Sequence, residues 1–349
     1  MRGLDTRGRA TNPAAQRQRW TAYLAGALVL ASWSCDGGDG RSGTPAWTPI
    51  PPPAAAVPAP VGATPPGPAT TLERAPNDIP PGVAGRDPVA GTGRWPVPAW
   101  LCSGAVGTVS RNRGGSSITF KIRLAGGGRA AFKPDQLAGF SRFRAELAAY
   151  RLSELLAYGR VPPSCERSVQ GAVLVAAAGD DVEFRERLGR ELRQTGTGAV
   201  RGAAILWVDG IRPLDIRPAD VPAHPLAREL SEMIFFDELA GNWDRWSGGN
   251  VFQDATGKEL VLIDNAAAFG PIGPERRSRM DAVLDRAAAP SERFVAALRA
   301  LSRSAVATEL EAVGYGQAQI DGVMERRDRI IARLDRRPAS AGSGAGAAR

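Results

Sequence analysis

Residues 36–95 are dominated by Pro, Ala, Gly and Thr and hold few large apolar side chains. Such a stretch cannot bury enough apolar surface to offset the entropy of ordering it, so it reads as a disordered, partly polyproline linker. Residues 338–349, rich in Ala, Gly and Ser, read the same way. Whatever this chain folds into is therefore built from residues 96–337. That is roughly 240 residues, enough for one large or two-lobed domain.

Residues 1–35 read as a targeting segment. Arg2, Arg7, Arg9, Arg17 and Arg19 precede an apolar run over residues 20–33. A basic region followed by a short apolar core is the pattern of an export signal. The run is too short and too interrupted for a spanning helix. Cys35, after Leu30-Ala31-Ser32-Trp33-Ser34, resembles a bacterial lipoprotein box, although Trp33 departs from the small residues that such a site prefers. The segment is thus either a lipidated anchor or an ordinary signal peptide or uncleaved anchor. Either way the domain is expected outside the cytoplasm, periplasmic or at the cell surface. Only the N-terminal anchor would touch the membrane.

Two cysteines remain beyond Cys35. In an exported domain Cys102 and Cys165 either pair or stay as buried thiols, and spacing alone does not decide between them. No CxxC or HxxxH spacing exists, which argues against a zinc site. The single His224 excludes a mechanism that needs a histidine network. The net charge is +8, almost all from Arg, but five arginines lie in the leader and the rest are scattered among acids. This predicts a solvated, Arg-biased surface and no nucleic-acid partner. Lysine occurs only as Lys121, Lys133 and Lys258, which makes Lys133 conspicuous where Arg would serve mere solvation.

Along residues 96–337 the patterning changes halfway. Residues 101–109 read as a Gly-containing turn entering a strand. Residues 117–124 alternate apolar and polar, and Gly126-Gly127-Gly128 turns them into a second strand at 129–133. Residues 141–158 form an amphipathic helix that Ser141 can cap. Residues 171–175 and 203–208 read as strands flanking a charged surface helix at 181–196. Residues 226–239 are an apolar helix, residues 251–252 and 260–263 a hairpin, and residues 275–336 helical throughout. An early strand-rich part and a late helix-rich part predict an α+β, two-lobed architecture.

Chemistry gathers at a few positions. Asp244 follows the apolar helix, Asn250 comes six residues on, and Asp264 ends an apolar run. One Asp can orient or deprotonate a hydroxyl, while an Asn and a second Asp supply hard oxygens to Mg²⁺ or Mn²⁺. Lys133 ends a strand, and Glu146 lies on the next helix near its apolar stripe. A lysine that contacts phosphates needs such a carboxylate to fix its rotamer. Gly104 and Gly107 are candidates for covering the phosphates, although their spacing is not GxGxxG.

Several segments carry a resemblance when taken in order. They are Phe132-Lys133-Pro134, then residues 143–152 running into Val161-Pro162-Pro163, then residues 236–245 with Asn242-Trp243-Asp244-Arg245, and Leu262-Ile263-Asp264-Asn265 with Phe269-Gly270. The chain resembles the secreted, atypical kinases of the Four-jointed and Golgi casein kinase group, and more distantly HipA-type and phosphatidylinositol 3-/4-kinases. The resemblance implies a two-lobed protein-kinase-like fold, with a strand-rich N-lobe and a helical C-lobe, and ATP-dependent transfer to a hydroxyl. Lys133 would hold the nucleotide phosphates, with Glu146 paired to it. Asp244 would orient the acceptor, and Asn250 and Asp264 would hold the metal. Trp246 stands where many members carry His, and Ala266 replaces the Gly of an Asp-Asn-Gly turn.

Three functions fit these residues. One is an active kinase acting on Ser/Thr of a protein or peptide, or on a glycan. The second is a catalytically inactive, kinase-shaped surface module. The third is a lipid kinase, which a flexible stalk of about 60 residues, reaching roughly 40–50 Å, argues against. Intact Lys133, Asp244 and Asp264 favour the first.

Overall fold

Alternation shapes the first half of the domain. In β2 (Phe120–Leu124) the side chains of Phe120, Ile122 and Leu124 are buried while Lys121 and Arg123 point away. The same period places Ala130 and Phe132 of β3 (Arg129–Pro134) inside. With β1 (Val106–Arg111), β4 (Ser164–Gln170) and β5 (Ala199–Leu206) these strands form one antiparallel sheet in the order β1-β2-β3-β5-β4. The computed structural model describes residues 96–113, 116–137, 142–247 and 250–336. The leader, the linker, the tail, Ser141 and Gly248-Gly249 lie outside the described residues.

The sheet has an apolar core on each face. Val200 and Ala204 of β5 join Phe120, Ile122, Phe132, Leu101, Leu174 and Leu188 on one side. Ala203 and Ile205, the alternate residues, face the other and larger core. That larger core contains α2 (Phe143–Leu155), whose Phe143, Leu147 and Leu152 are buried. The helix carrying Glu146 is therefore packed between sheet and C-lobe. At Gly202 of β5 an added Cβ would stand 2.4 Å from the Lys133 carbonyl oxygen and 2.7 Å from the Phe132 ring. Only glycine lets β5 lie this close to the end of β3.

The second half is helical around α5 (Ala227–Ala240). Residues 230–240 are all buried, as expected of a helix apolar on most of its circumference. Gly241 ends it in the left-handed conformation (φ 70°). Around it pack α6 (Pro274–Leu284), α7 (Glu292–Ala300), α8 (Arg303–Glu311) and α9 (Gln317–Asp335). A small sheet joins β6 (Arg212–Pro213), which precedes α5 in sequence, to β7 (Phe252–Gln253) and β8 (Leu260–Val261), which follow it. The α+β, two-lobed expectation holds. No helix among the described residues is long and apolar enough to cross a membrane.

Two local expectations are corrected. The turn expected to open residues 101–109 is instead the end of a short helix, α1 (Ala99–Ser103). Residues 171–175 are not a strand but helix α3 (Gly171–Ala176), and the strand is the polar stretch before it, β4. β4 lies at the sheet edge and pairs with β5 over seven residues through its backbone, so it needs little apolar patterning. A five-residue apolar run is ambiguous by periodicity, and here Leu174 is its one large buried anchor. The charged helix is observed as α4 (Val182–Glu191), capped by Asp181.

Cys102 on α1 and Cys165 on β4 are disulfide-bonded, with Cα atoms 5.7 Å apart. Arg167 reinforces the link by donating to the carbonyls of Leu101 (2.9 Å) and Gly104 (2.6 Å). The bridge closes a loop of 63 residues, for which the chain-entropy relation gives about 4 kcal/mol. Reduction is thus expected to lower the melting temperature by about 8–16 °C. Calorimetric scans with and without reductant check this, and superimposable scans would show that the bridge does not restrain the fold.

Candidate active site

Lys133 is the next-to-last residue of β3, and its ammonium is almost fully buried. A buried cation requires anionic partners. Lys133 Nζ lies 2.6 Å from Glu146 Oε1 and 2.5 Å from Asp264 Oδ1, an ammonium between two carboxylates. Burial alone would lower the Lys133 pKa, but Glu146 and Asp264 outweigh it and hold the group above its usual value. Asp264 is depressed below the usual carboxylate range, chiefly by Lys133, so it is ionised at neutral pH. The Asp264 side chain keeps 43 % of its surface exposed, whereas that of Glu146 keeps 2 %. The inner carboxylate fixes the lysine and the outer one remains open to a ligand.

Glu146 is itself held by the second half of the chain. Its Oε2 accepts from the backbone N of Asn265 (3.0 Å) and from Asn265 Nδ2 (3.3 Å). Asn265 Oδ1 in turn accepts from Arg245 Nη2 at 2.6 Å. Arg245 is 1 % exposed and is the hub of the site. Its Nε donates to Asp237 Oδ2 at 3.1 Å, and its Nη1 donates to the carbonyls of Ile263 (2.6 Å) and Asn250 (3.2 Å). One guanidinium therefore draws residue 250 and the residue before Asp264 to the same place. Asp264 and Phe269 both have positive φ, 59° and 57°. Non-glycine residues held this way need surrounding contacts to sustain them. Lys133, Asn265 and the bond from Phe269 N to the Ala240 carbonyl provide them.

Asp244 sits in the loop after α5. Its backbone N donates to Asn242 Oδ1 (3.3 Å), and Asn242 Nδ2 donates to Asp237 Oδ1 (3.3 Å). The Asp244 carboxylate accepts from the Ser247 hydroxyl at 2.5 Å, with the Asp244 carbonyl 2.7 Å from the same hydroxyl. Asn250 Nδ2 donates to the Asp244 carbonyl at 3.2 Å, so its amide oxygen is the atom left for a ligand. Asp264 and Asn250 offer hard oxygen donors suited to Mg²⁺ or Mn²⁺. Among the described residues no group of three or more His, Cys, Asp or Glu could hold a metal ion by itself. A cation here would complete its shell with phosphate and water oxygens.

Gly104 and Gly107 are not brought to this site. Val106 pairs with Leu124, whereas Arg111 pairs with Phe120, and Phe120 pairs with Phe132 beside Lys133. At about 3.3 Å per residue, Gly107 lies more than roughly 10 Å along the sheet from the lysine. Gly104 instead caps α1, where its carbonyl is bound by Arg167. The segment at the lysine end is the connection between β1 and β2. Gln136 pins the base of that connection, with Oε1 accepting from Ile118 N (2.8 Å) and Nε2 donating to the Ile118 carbonyl (3.0 Å).

Sequence reasoning gave no role to Arg245, Asp237, Asn265, Ser247 or Gln136. Arg245 and Asn265 were legible only as neighbours of the two aspartates. Asp237 was a charge inside an apolar helix, a pattern that signals a buried partner. Trp246, the departure noted in the sequence, lines a cavity of about 300 Å³ with Trp243 and Ser247. Its buried indole N–H has no acceptor among the described residues.

No family profile matches the chain, and no curated protein is similar to it by sequence. Solved structures are similar in fold. A crystal structure of the Golgi casein kinase matches with a TM-score of 0.51 at 14% identity, covering 69% of this chain and 74% of that one. A hydra Fam20 structure with sugar matches with a TM-score of 0.53 at 15% identity, covering 67% and 86%. A Golgi casein kinase structure with Mn/ADP bound gives 0.49 at 13% identity, covering 67% and 73%. The domain has the two-lobed α+β fold of the Golgi casein kinase group.

Proposed function

We propose that this chain is an exported, ATP-dependent kinase that transfers the γ-phosphoryl group to a hydroxyl. The observation that carries the reading is the buried Lys133, clamped between Glu146 and an ionised, half-exposed Asp264 contributed from 131 residues away. Glu146 already satisfies the buried ammonium, so the open Asp264 carboxylate is available to a ligand. Lys133 would bind the nucleotide phosphates, and Glu146, fixed by Asn265, would keep its ammonium aimed. Asp264 and Asn250 would hold Mg²⁺ or Mn²⁺. A divalent cation there supplies positive charge against the oxygens of the transferred group. Asp244, oriented by Ser247 and Asn242, would accept the proton of the attacking hydroxyl.

The leader points to export, as a lipoprotein through Cys35 or as a secreted or anchored protein. The Cys102–Cys165 bridge fits an oxidising compartment. The acceptor is a Ser/Thr hydroxyl of a protein or peptide, or a sugar hydroxyl.

The test incubates the full chain with labelled ATP, Mg²⁺ or Mn²⁺, and separate protein and oligosaccharide acceptors, beside Asp244→Asn. Transfer that falls about 100-fold or more in the variant is expected for a lost proton acceptor. No transfer to any acceptor, no autophosphorylation and no ATP-dependent rise in melting temperature would instead leave a kinase-shaped module without catalysis.

A further inference from the structure

A second cavity, of about 380 Å³, lies between residues 269–272, the start of α6 and α9. One wall is basic. α6 contributes Arg277 and α9 contributes Arg326 and Arg329, three residues apart and so on one helix face. The other wall is apolar, with Phe269, Pro271 and Ile272.

Two of the arginines share one carboxylate. Arg277 Nη2 lies 2.5 Å from Glu238 Oε2, and Arg329 Nη1 lies 3.2 Å from Glu238 Oε1. Glu238 is 2 % exposed. Arg277 also meets Asp281 at 2.7 Å, yet its buried Nε has no acceptor among the described residues. Arg326 gives its Nε to the Leu239 carbonyl at 2.9 Å and meets no carboxylate among the described residues. Glu325 stands exposed on the same rim. Burial, with repulsion from Arg277 and Arg329, pulls the Arg326 pKa down to about 10 against the attraction of Glu238 and Glu325. A guanidinium in that position gains from an added anion.

We infer that this cavity is a second binding site, separate from the Lys133 cleft, for a phosphoryl group. Guanidinium forks match tetrahedral oxyanions better than any other side chain. The volume falls in the range of small-molecule pockets. It exceeds what a bare anion needs, and the apolar wall suits an organic body attached to the phosphoryl group. The occupant would rest on residues 269–272, the segment that begins five residues after Asp264.

The test is calorimetric titration of the full chain with inorganic phosphate, phosphoserine and a sugar phosphate at constant ionic strength. Wild type, Lys133→Met and the double variant Arg326→Gln/Arg329→Gln are compared. Binding should survive in Lys133→Met and weaken at least about tenfold in the double variant, as the loss of charge-assisted bonds requires. Equal affinity for all three ligands would assign free phosphate as the occupant. Tighter binding of one organic phosphate would assign that class. The single variant Arg329→Gln, which leaves Glu238 paired with Arg277, serves if the double variant does not fold, and should still weaken binding. Binding lost in Lys133→Met but kept in the arginine variants would overturn the inference. So would no heat change with any ligand up to roughly 10 mM.

Discussion

Replacing Asp264 by Asn is expected to slow phosphoryl transfer by about a thousandfold or more while leaving the fold intact. Asparagine matches aspartate in shape and tolerates the left-handed conformation that residue 264 adopts. The substitution therefore removes charge and little else. It deletes the half-exposed anion facing the cleft, and Glu146 still satisfies Lys133. Single-turnover transfer in Mn²⁺, together with a melting scan of the same preparation, checks both halves. A variant within tenfold of wild type would remove Asp264 from the site, whatever its melting temperature.

Arg245→Leu is expected to cost about 3–5 kcal/mol of stability, the range for breaking a fully buried ion pair by deleting one partner. Arg245 is 1 % exposed, and its loss leaves Asp237, itself 3 % exposed, with Asn242 Nδ2 at 3.3 Å as its remaining side-chain donor among the described residues. The carbonyls of Ile263 and Asn250 lose their donor in the same step. That is a large share of an ordinary stability of about 5–15 kcal/mol, so the variant should unfold at a clearly lower urea concentration. Arg245→Lys should rescue little, because an ammonium lacks the planar fork that reaches Asp237, Ile263 and Asn265 together. Asp237→Leu added to Arg245→Leu should recover part of the loss, since no lone charge then stays buried. Urea titrations of the three variants decide this. A loss below about 1 kcal/mol in Arg245→Leu would mean that the hub is not structural.

The two predictions differ in what the sequence made visible. Asp264 stood out because it ends an apolar run, and Lys133 because a lysine is rare in so Arg-rich a chain. Glu146 was legible as an acid beside the apolar stripe of its helix. Arg245 had no such mark. Its importance comes from where five partner atoms meet, and those atoms belong to residues 237, 250, 263 and 265. Gly104 and Gly107 failed for a related reason. A glycine turn is a local signal, but which end of a sheet it occupies depends on strand register. The register of β1 against β2 places them away from Lys133.

By itself the sequence determined which half of residues 96–337 would be strands and which helices, and the identity of the charged groups worth watching. Those properties follow from composition and from periods of 2 and 3.6 residues, which neighbouring residues set. Only the tertiary structure decided that Lys133 and Asp264 touch and that Asn265 locks Glu146. It also decided that Cys102 bonds Cys165 and that three arginines line one cavity. Each of these depends on contacts between residues tens to more than a hundred positions apart, and packing of two cores against one sheet creates them.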